Sequence, residues 1–232
     1  MDARVAVVTG GVGALGGAVV EALLADGWSV HVPWTSEASE AGLLARTGRQ
    51  ARLATARADL TDVDAVDAFF RAVRETSGRL DLLCNLVGGF AMAAVEDTAA
   101  ETWERMLRVN ATAPFLCIRA AVPLLREIGG GSIVNVAAAA LERPTSGISA
   151  YLASKAAVAN LTRTLAEELA PDGITVNAVA PTTIDTPANR QAMPSADRSG
   201  WLAPEAIADV IRFLAGPQAR IVTGNVVALR RT

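Results

Sequence analysis

The chain contains one tyrosine, Tyr151, and one lysine, Lys155, and they stand four residues apart in Tyr151-Leu-Ala-Ser-Lys155. On a helix, residues i and i+4 share a face about 5–6 Å apart. An ammonium held there would lower the phenol pKa toward working pH. Such a phenol can give a proton to a substrate oxygen or take one from it. An ordinary surface pair would not explain why a chain so poor in both types keeps its only examples together. A second pattern, Thr9-Gly-Gly-Val-Gly-Ala-Leu-Gly16, contains Gly11-x-Gly13-x-x-Gly16. Alone such a pattern is weak; between a strand and a helix it gains meaning. Glycines there permit a tight turn and close backbone approach to a pyrophosphate, and the helix N-terminus supplies N–H donors.

The elements that must position these residues alternate along the chain. Valine-rich Arg4–Thr9 reads as a strand, followed by a helix with Leu15, Val19, Leu23 and Leu24 on its apolar side, stopped at Gly27. Further strands are expected at Ser29–Pro33, Gln50–Ala56, Leu80–Asn85, Ser132–Val136, Ile174–Val179 and Val222–Leu229. Further helices are expected at Asp62–Thr76, about Ala99–Glu127, Ala150–Ala170 and Pro204–Leu214. Strands separated by helices imply right-handed crossovers and a parallel sheet covered on both faces. The expected fold is α/β, a doubly wound parallel sheet in a three-layer α/β/α arrangement, with residues 1–232 as one domain. The stretch 181–203 shows no clear periodicity, and an irregular loop of that length inside a compact domain is commonly a lid.

Composition narrows the function. The 232 residues are 51% hydrophobic and 19% charged, which excludes a disordered chain. A net charge of −3 carries no electrostatic footprint for nucleic acid. No apolar run reaches the ~18 residues of a membrane span, and no secretory signal opens the chain. A cytoplasmic protein is expected, with Cys84 and Cys117 as small buried hydrophobes. No metal site is expected.

The motifs, in this order and at these separations, resemble the short-chain dehydrogenase/reductase family over nearly the whole chain. Thr9–Gly16 resembles the family's glycine-rich nucleotide motif, and Tyr151 with Lys155 its tyrosine–lysine pair. Leu82-Leu-Cys-Asn-Leu-Val-Gly88 resembles its segment after strand four, and Asn110 in Arg108-Val-Asn-Ala-Thr falls where its helix asparagine stands. The resemblance implies a Rossmann-like domain, with Tyr151 as general acid/base. It makes Lys155 the ligand of the nicotinamide ribose that tunes Tyr151, and Asn110 the holder of a water in a proton relay. The cofactor contacts it implies are Gly10, Val12, Gly13, Leu15 and Gly16 in the loop, Thr35, Asp59 and Leu60 on the adenosine side, and Val87, Gly88, Tyr151, Lys155, Ile184 and Thr186. Asn85 and His31 are read as structural.

Departures from the family pattern carry their own information. Thirteen residues before the tyrosine the family places a serine that hydrogen-bonds the substrate carbonyl; here Ala138 stands in Ala137-Ala-Ala-Ala140. Losing such a donor typically costs ~2.7–4 kcal/mol in a reaction that needs it. Thr145, Ser146 and Ser149 are the nearby hydroxyls, and each reads as a turn residue. Thr182 replaces the glycine after Pro181, and Ala14 replaces one in the loop. Thr183-Ile-Asp-Thr-Pro-Ala-Asn-Arg190, with Met193-Pro, Ala196-Asp197 and Trp201, is similar to the loop of dihydropteridine reductases, which also carry alanine for the serine. No Asp or Glu follows strand two until Glu37. That removes the usual ligand of an NAD ribose, and Thr35-Ser36 resembles a hydroxyl pair of NADPH enzymes, so NADP(H) is slightly favoured over NAD(H).

These readings point to an NAD(P)H-dependent reductase of a small-molecule carbonyl or imine-like substrate. Dihydropteridine-type reduction is one alternative; a catalytically silent cofactor-binding sensor or complex partner is another. The long helices at 99–127 and 150–170 resemble the family's dimer helices, implying a homotetramer (or homodimer). No nucleic-acid or membrane partner is expected.

Overall fold

The computed structural model describes residues 3–231. Seven parallel strands lie in the order β3-β2-β1-β4-β5-β6-β7. They are β1 (Val5–Thr9), β2 (Ser29–Trp34), β3 (Leu53–Arg57), β4 (Leu82–Asn85), β5 (Gly131–Val136), β6 (Ile174–Pro181) and β7 (Val226–Leu229). The helices are α1 (Ala14–Ala25), α2 (Glu37–Thr47), α3 (Val63–Ser77), α4 (Ala100–Leu107), α5 (Ala113–Glu127), α6 (Ser149–Leu169), α7 (Pro187–Ala192) and α8 (Pro204–Leu214). The expected α/β doubly wound sheet is thus the observed one.

Central strands read as continuous apolar runs because both faces of the sheet are covered. Every residue of β1 is buried, and β1 pairs with β2 on one side and β4 on the other. One core packs Phe69, Phe70, Leu116 and Leu125 against one face; the other packs Val19, Leu23, Ile207 and Ile211 against the opposite face. Strand order reverses between β1 and β4, and the crevice beyond their carboxyl ends is where open α/β sheets bind ligands.

The last strand is half the expected length, Val226–Leu229 in place of Val222–Leu229, and β3 and β4 begin at Leu53 and Leu82 in place of Gln50 and Leu80. Three further segments differ from the sequence expectation. Helix α2 went unpredicted because it presents a single buried side chain, Leu43, and therefore no stripe. It is held by polar contacts: Thr55 Oγ1 bonds Glu40, and Arg46 pairs with Glu21. The long helix at 99–127 is interrupted by a π-turn at Arg108–Thr112, where the Ala113 N–H reaches back to the Arg108 carbonyl. The stretch 181–203 is not irregular throughout. Thr186 caps α7 by accepting the Asn189 N–H at 3.1 Å, Pro187 occupies the first helical turn, and Ile184 bridges Leu202 in parallel. Thr-Pro is a helix-start signature legible in the sequence.

Candidate active site

The glycine loop joins β1 to α1 by close backbone packing. A Cβ on Gly16 would collide with the Gly10 carbonyl, and one on Gly10, whose φ is +66°, would come within 2.8 Å of Val87 N. Glycine at these positions lets the loop fold back on itself and against the end of β4. Gly13 opens α1 without a side-chain cap, so the first-turn N–H groups remain free for an anionic group. Thr9 stitches the crevice: its hydroxyl accepts from Leu86 N (3.0 Å) and Val87 N (3.3 Å) and donates to the Cys84 carbonyl (3.3 Å).

Asn110 sits in the π-turn and is fully buried. Its Oδ1 accepts from Gly89 N at 2.8 Å, while Nδ2 donates to Gly89 O at 3.0 Å and to Ser154 Oγ at 2.9 Å. The Ser154 hydroxyl in turn donates to the Tyr151 carbonyl at 2.6 Å. This chain of bonds ties the loop after β4 to the first turn of α6, the helix that carries Tyr151 and Lys155. The Asn110 side chain is thereby committed to protein partners. Pro114, four residues on, has no N–H to give the Asn110 backbone carbonyl.

Lys155 is 5% exposed, and Nζ donates to the Val136 carbonyl at 2.8 Å. Burial lowers its pKa to about 8. For Tyr151 the direction is opposite to the sequence expectation: burial raises the phenol above its ordinary value. Burial thus favours the protonated phenol. A Cβ on Gly88 would lie 2.8 Å from Asn110 Oδ1 and 3.5 Å from Lys155 Nζ, so bare backbone passes over both groups. Phe90, which sequence reasoning missed, stands edge-to-face on Tyr151 with ring centroids 5.0 Å apart. Its only signal was an aromatic residue following Gly88-Gly89.

The chain is similar to known proteins over its whole length. The short chain dehydrogenase family matches residues 4–197. A galactitol 2-dehydrogenase of Rhizobium johnstonii is 36% identical, covering 98% of this chain and 93% of its own. A 3-oxoacyl-[acyl-carrier-protein] reductase of Synechocystis sp. is 33% identical, with coverage of 97% and 94%. A short-chain type dehydrogenase/reductase of Mycobacterium ulcerans superposes with a TM-score of 0.92 at 26% identity, covering 99% of this chain and 89% of that one. Levodione reductase superposes at 0.88 with 29% identity, covering 99% and 97%. The chain belongs to the short-chain dehydrogenase family.

A short-chain dehydrogenase is an NAD(P)-dependent oxidoreductase, and the crevice fits a dinucleotide: α1 is uncapped, Gly13 is exposed, and bare glycine backbone lies at positions 10, 16 and 88. Gly10, Val12 and Gly13 form the loop, Leu15 and Gly16 lie in the first turn of α1, and Val87 and Gly88 follow β4. Of the residues expected on the adenosine side, Thr35 is exposed and Leu60 buried. The exposed Asp59 carboxylate accepts from Thr61 N and Oγ1 at 2.9 and 2.8 Å, and those bonds hold its pKa below the ordinary value. Ile184 is engaged through its carbonyl, which accepts from Asn189 Nδ2 at 2.8 Å. Thr186 keeps its hydroxyl proton free while its oxygen caps α7.

The residues read as structural lie away from solvent. Asn85 Nδ2 donates to Asn135 at 2.9 Å, whose amide reaches Thr162 at 3.0 Å. His31 meets Ser77 at 2.7 Å, and burial lowers its pKa. Both cysteines are buried, and burial raises both thiols, Cys117 to about 12. Ala138 is buried, whereas Thr145, Ser146 and Ser149 are exposed. No described helix is long and apolar enough to cross a membrane.

Proposed function

We propose that the chain reduces a small-molecule carbonyl or imine-like acceptor with NAD(P)H. The observation that carries this reading is that Asn110 and Lys155 lie against the bare backbone of Gly88, and that Asn110 is tied through Ser154 to the turn of α6 that carries Tyr151. When bound, the nicotinamide supplies the hydride. Tyr151 gives the proton to the acceptor atom. Lys155 holds the ribose and, as an ammonium below about pH 8, favours the phenolate left behind. The Asn110 carbonyl holds the water through which the proton is restored. The segment 181–203 closes over the acceptor as a lid.

Two finer readings have their own support. With no acid between Trp34 and Glu37, and with Thr35 and Ser36 exposed, the site takes NADP(H) slightly better than NAD(H). Ala138 supports the second reading, dihydropteridine-type reduction, because a quinonoid acceptor needs less polarisation than a ketone. Exposed Trp103 and Phe115 on α4 and α5 support assembly into a homotetramer (or homodimer) through those helices. The test is oxidation of NADPH and NADH, followed optically, against ketones, quinones and quinonoid dihydropterin. Cofactor binding without turnover on any of them would instead mark a silent binding protein.

A further inference from the structure

The loop between β4 and α4 holds three large apolar side chains in water: Phe90 is 59% exposed, Met92 67% and Val95 77%. Large apolar side chains exposed together on one loop are the kind of surface that marks a ligand or partner site. The loop is also fastened. Gly89 is bonded at both its N–H and its carbonyl by Asn110, and the Ala93 N–H donates to the Gly147 carbonyl at 2.8 Å. Phe90 therefore presents an uncovered ring at a fixed place, edge-to-face on Tyr151. Ala138 brings no hydroxyl to the acceptor, and the reductase reading assigns the proton to Tyr151.

We propose that Phe90 is the stacking wall of the acceptor site and that the substrate is a flat conjugated ring, a quinone or a quinonoid heterocycle. The proposal rests on the reductase reading above. Aromatic rings prefer offset or edge-to-face partners, and a third ring can extend the Phe90–Tyr151 pair in that manner. Reduction adds one hydride from the reduced nicotinamide, which is oxidised, and one proton from the Tyr151 hydroxyl. One π bond of the acceptor is lost, and the incoming electron pair spreads over its ring. Charge therefore does not collect on one oxygen, and no second donor is needed at position 138. An isolated ketone collects that charge on a single oxygen, for which this site lacks the family's serine.

The test compares wild type, Phe90→Leu and Phe90→Trp. Leucine keeps an apolar side chain and removes the ring, and because Phe90 is exposed the fold should tolerate it. The acceptors are phenanthrenequinone, quinonoid dihydropterin and the saturated bicyclic ketone decalone. Phe90→Leu should raise KM for the two planar acceptors about tenfold with kcat changed less than about twofold. Phe90→Trp should restore the wild-type KM, and decalone should respond little to either change. Equal shifts for planar and saturated acceptors, or no shift, would overturn the proposal. Binding of phenanthrenequinone, titrated by tryptophan fluorescence, separates the two readings. If wild type turns over no acceptor, the reductase reading fails; if Phe90→Leu binds the quinone as tightly as wild type, the Phe90 proposal fails.

Discussion

In the proposed reaction Tyr151 and Ala138 are the residues that decide what happens to an acceptor. Burial keeps the phenol protonated, so Tyr151→Phe removes the proton and little else. We expect turnover to fall by about 10²–10⁴-fold, the usual share of a positioned acid, while the Kd of the cofactor measured by calorimetry stays within about twofold. A variant that kept most of the wild-type rate would unseat Tyr151 from this role. Ala138 is the complementary position. Ala138→Ser adds a hydroxyl where a ketone's developing oxyanion would sit, and should raise kcat/KM for a simple ketone by up to ~10²–10³-fold. The same change should barely help, or should slow, a quinonoid acceptor. The informative quantity is the ratio of the two rate constants in each protein; an unchanged ratio would place the acceptor carbonyl away from residue 138. The added polar atom also needs a partner in a buried place, so some stability is lost.

At the scale of elements, the site depends on backbone passing where no side chain fits. In Gly88→Ala the new methyl meets Asn110 Oδ1 at 2.8 Å, and Asn110 is itself held by Gly89 and Ser154. Neither side can yield without loosening the bonds that join the β4 loop to α6. We expect kcat to drop about 10²-fold from this misplacement and stability to fall by about 1–3 kcal/mol. Gly42, inside α2, is the contrasting case, since a Cβ there meets nothing within 4 Å. Gly42→Ala should stabilise the protein by about 0.5–1 kcal/mol through helix propensity, with activity unchanged. Urea denaturation of both variants checks the pair. A destabilised Gly42→Ala would mean that α2 does not have the open environment described.

For the whole molecule, the buried Lys155 ammonium is a stability cost. The fall in the Lys155 pKa from 10.5 to about 8 corresponds to roughly 3 kcal/mol. Between those values the unfolded chain holds the proton and the folded chain does not, so stability from this group rises with pH. Below about pH 8 the full penalty is present. Lys155→Met removes the charge and keeps the bulk, although it leaves the Val136 carbonyl without its 2.8 Å donor. We expect this variant to be inactive and at least as stable as wild type at pH 7. The stability difference between the two proteins should then move toward wild type by roughly 3 kcal/mol as pH climbs toward 10. Parallel stability curves across that interval would show that the ammonium is not desolvated in the fold.

The sequence by itself determined the sheet, because fully buried parallel strands must be apolar and the helices between them amphipathic, as in Val5–Thr9 and in Val66, Phe69, Phe70 and Val73 of α3. It also determined the chemistry-bearing pairs, since Tyr151 and Lys155 are adjacent on one helix face through local periodicity alone. Helix α2 stayed illegible because one buried leucine makes no pattern; α7 is too short for a periodicity, and only its Thr186-Pro187 start was legible. Only the tertiary structure decided that the Asn110 side chain serves Gly89 and Ser154, and that Phe90 stands against Tyr151. Those contacts join residues 21, 44 and 61 positions apart, and no local period encodes them. The Tyr151 pKa direction was likewise decided in three dimensions: the spacing to Lys155 was readable along the helix, but the burial that raises the phenol depends on everything packed around the ring.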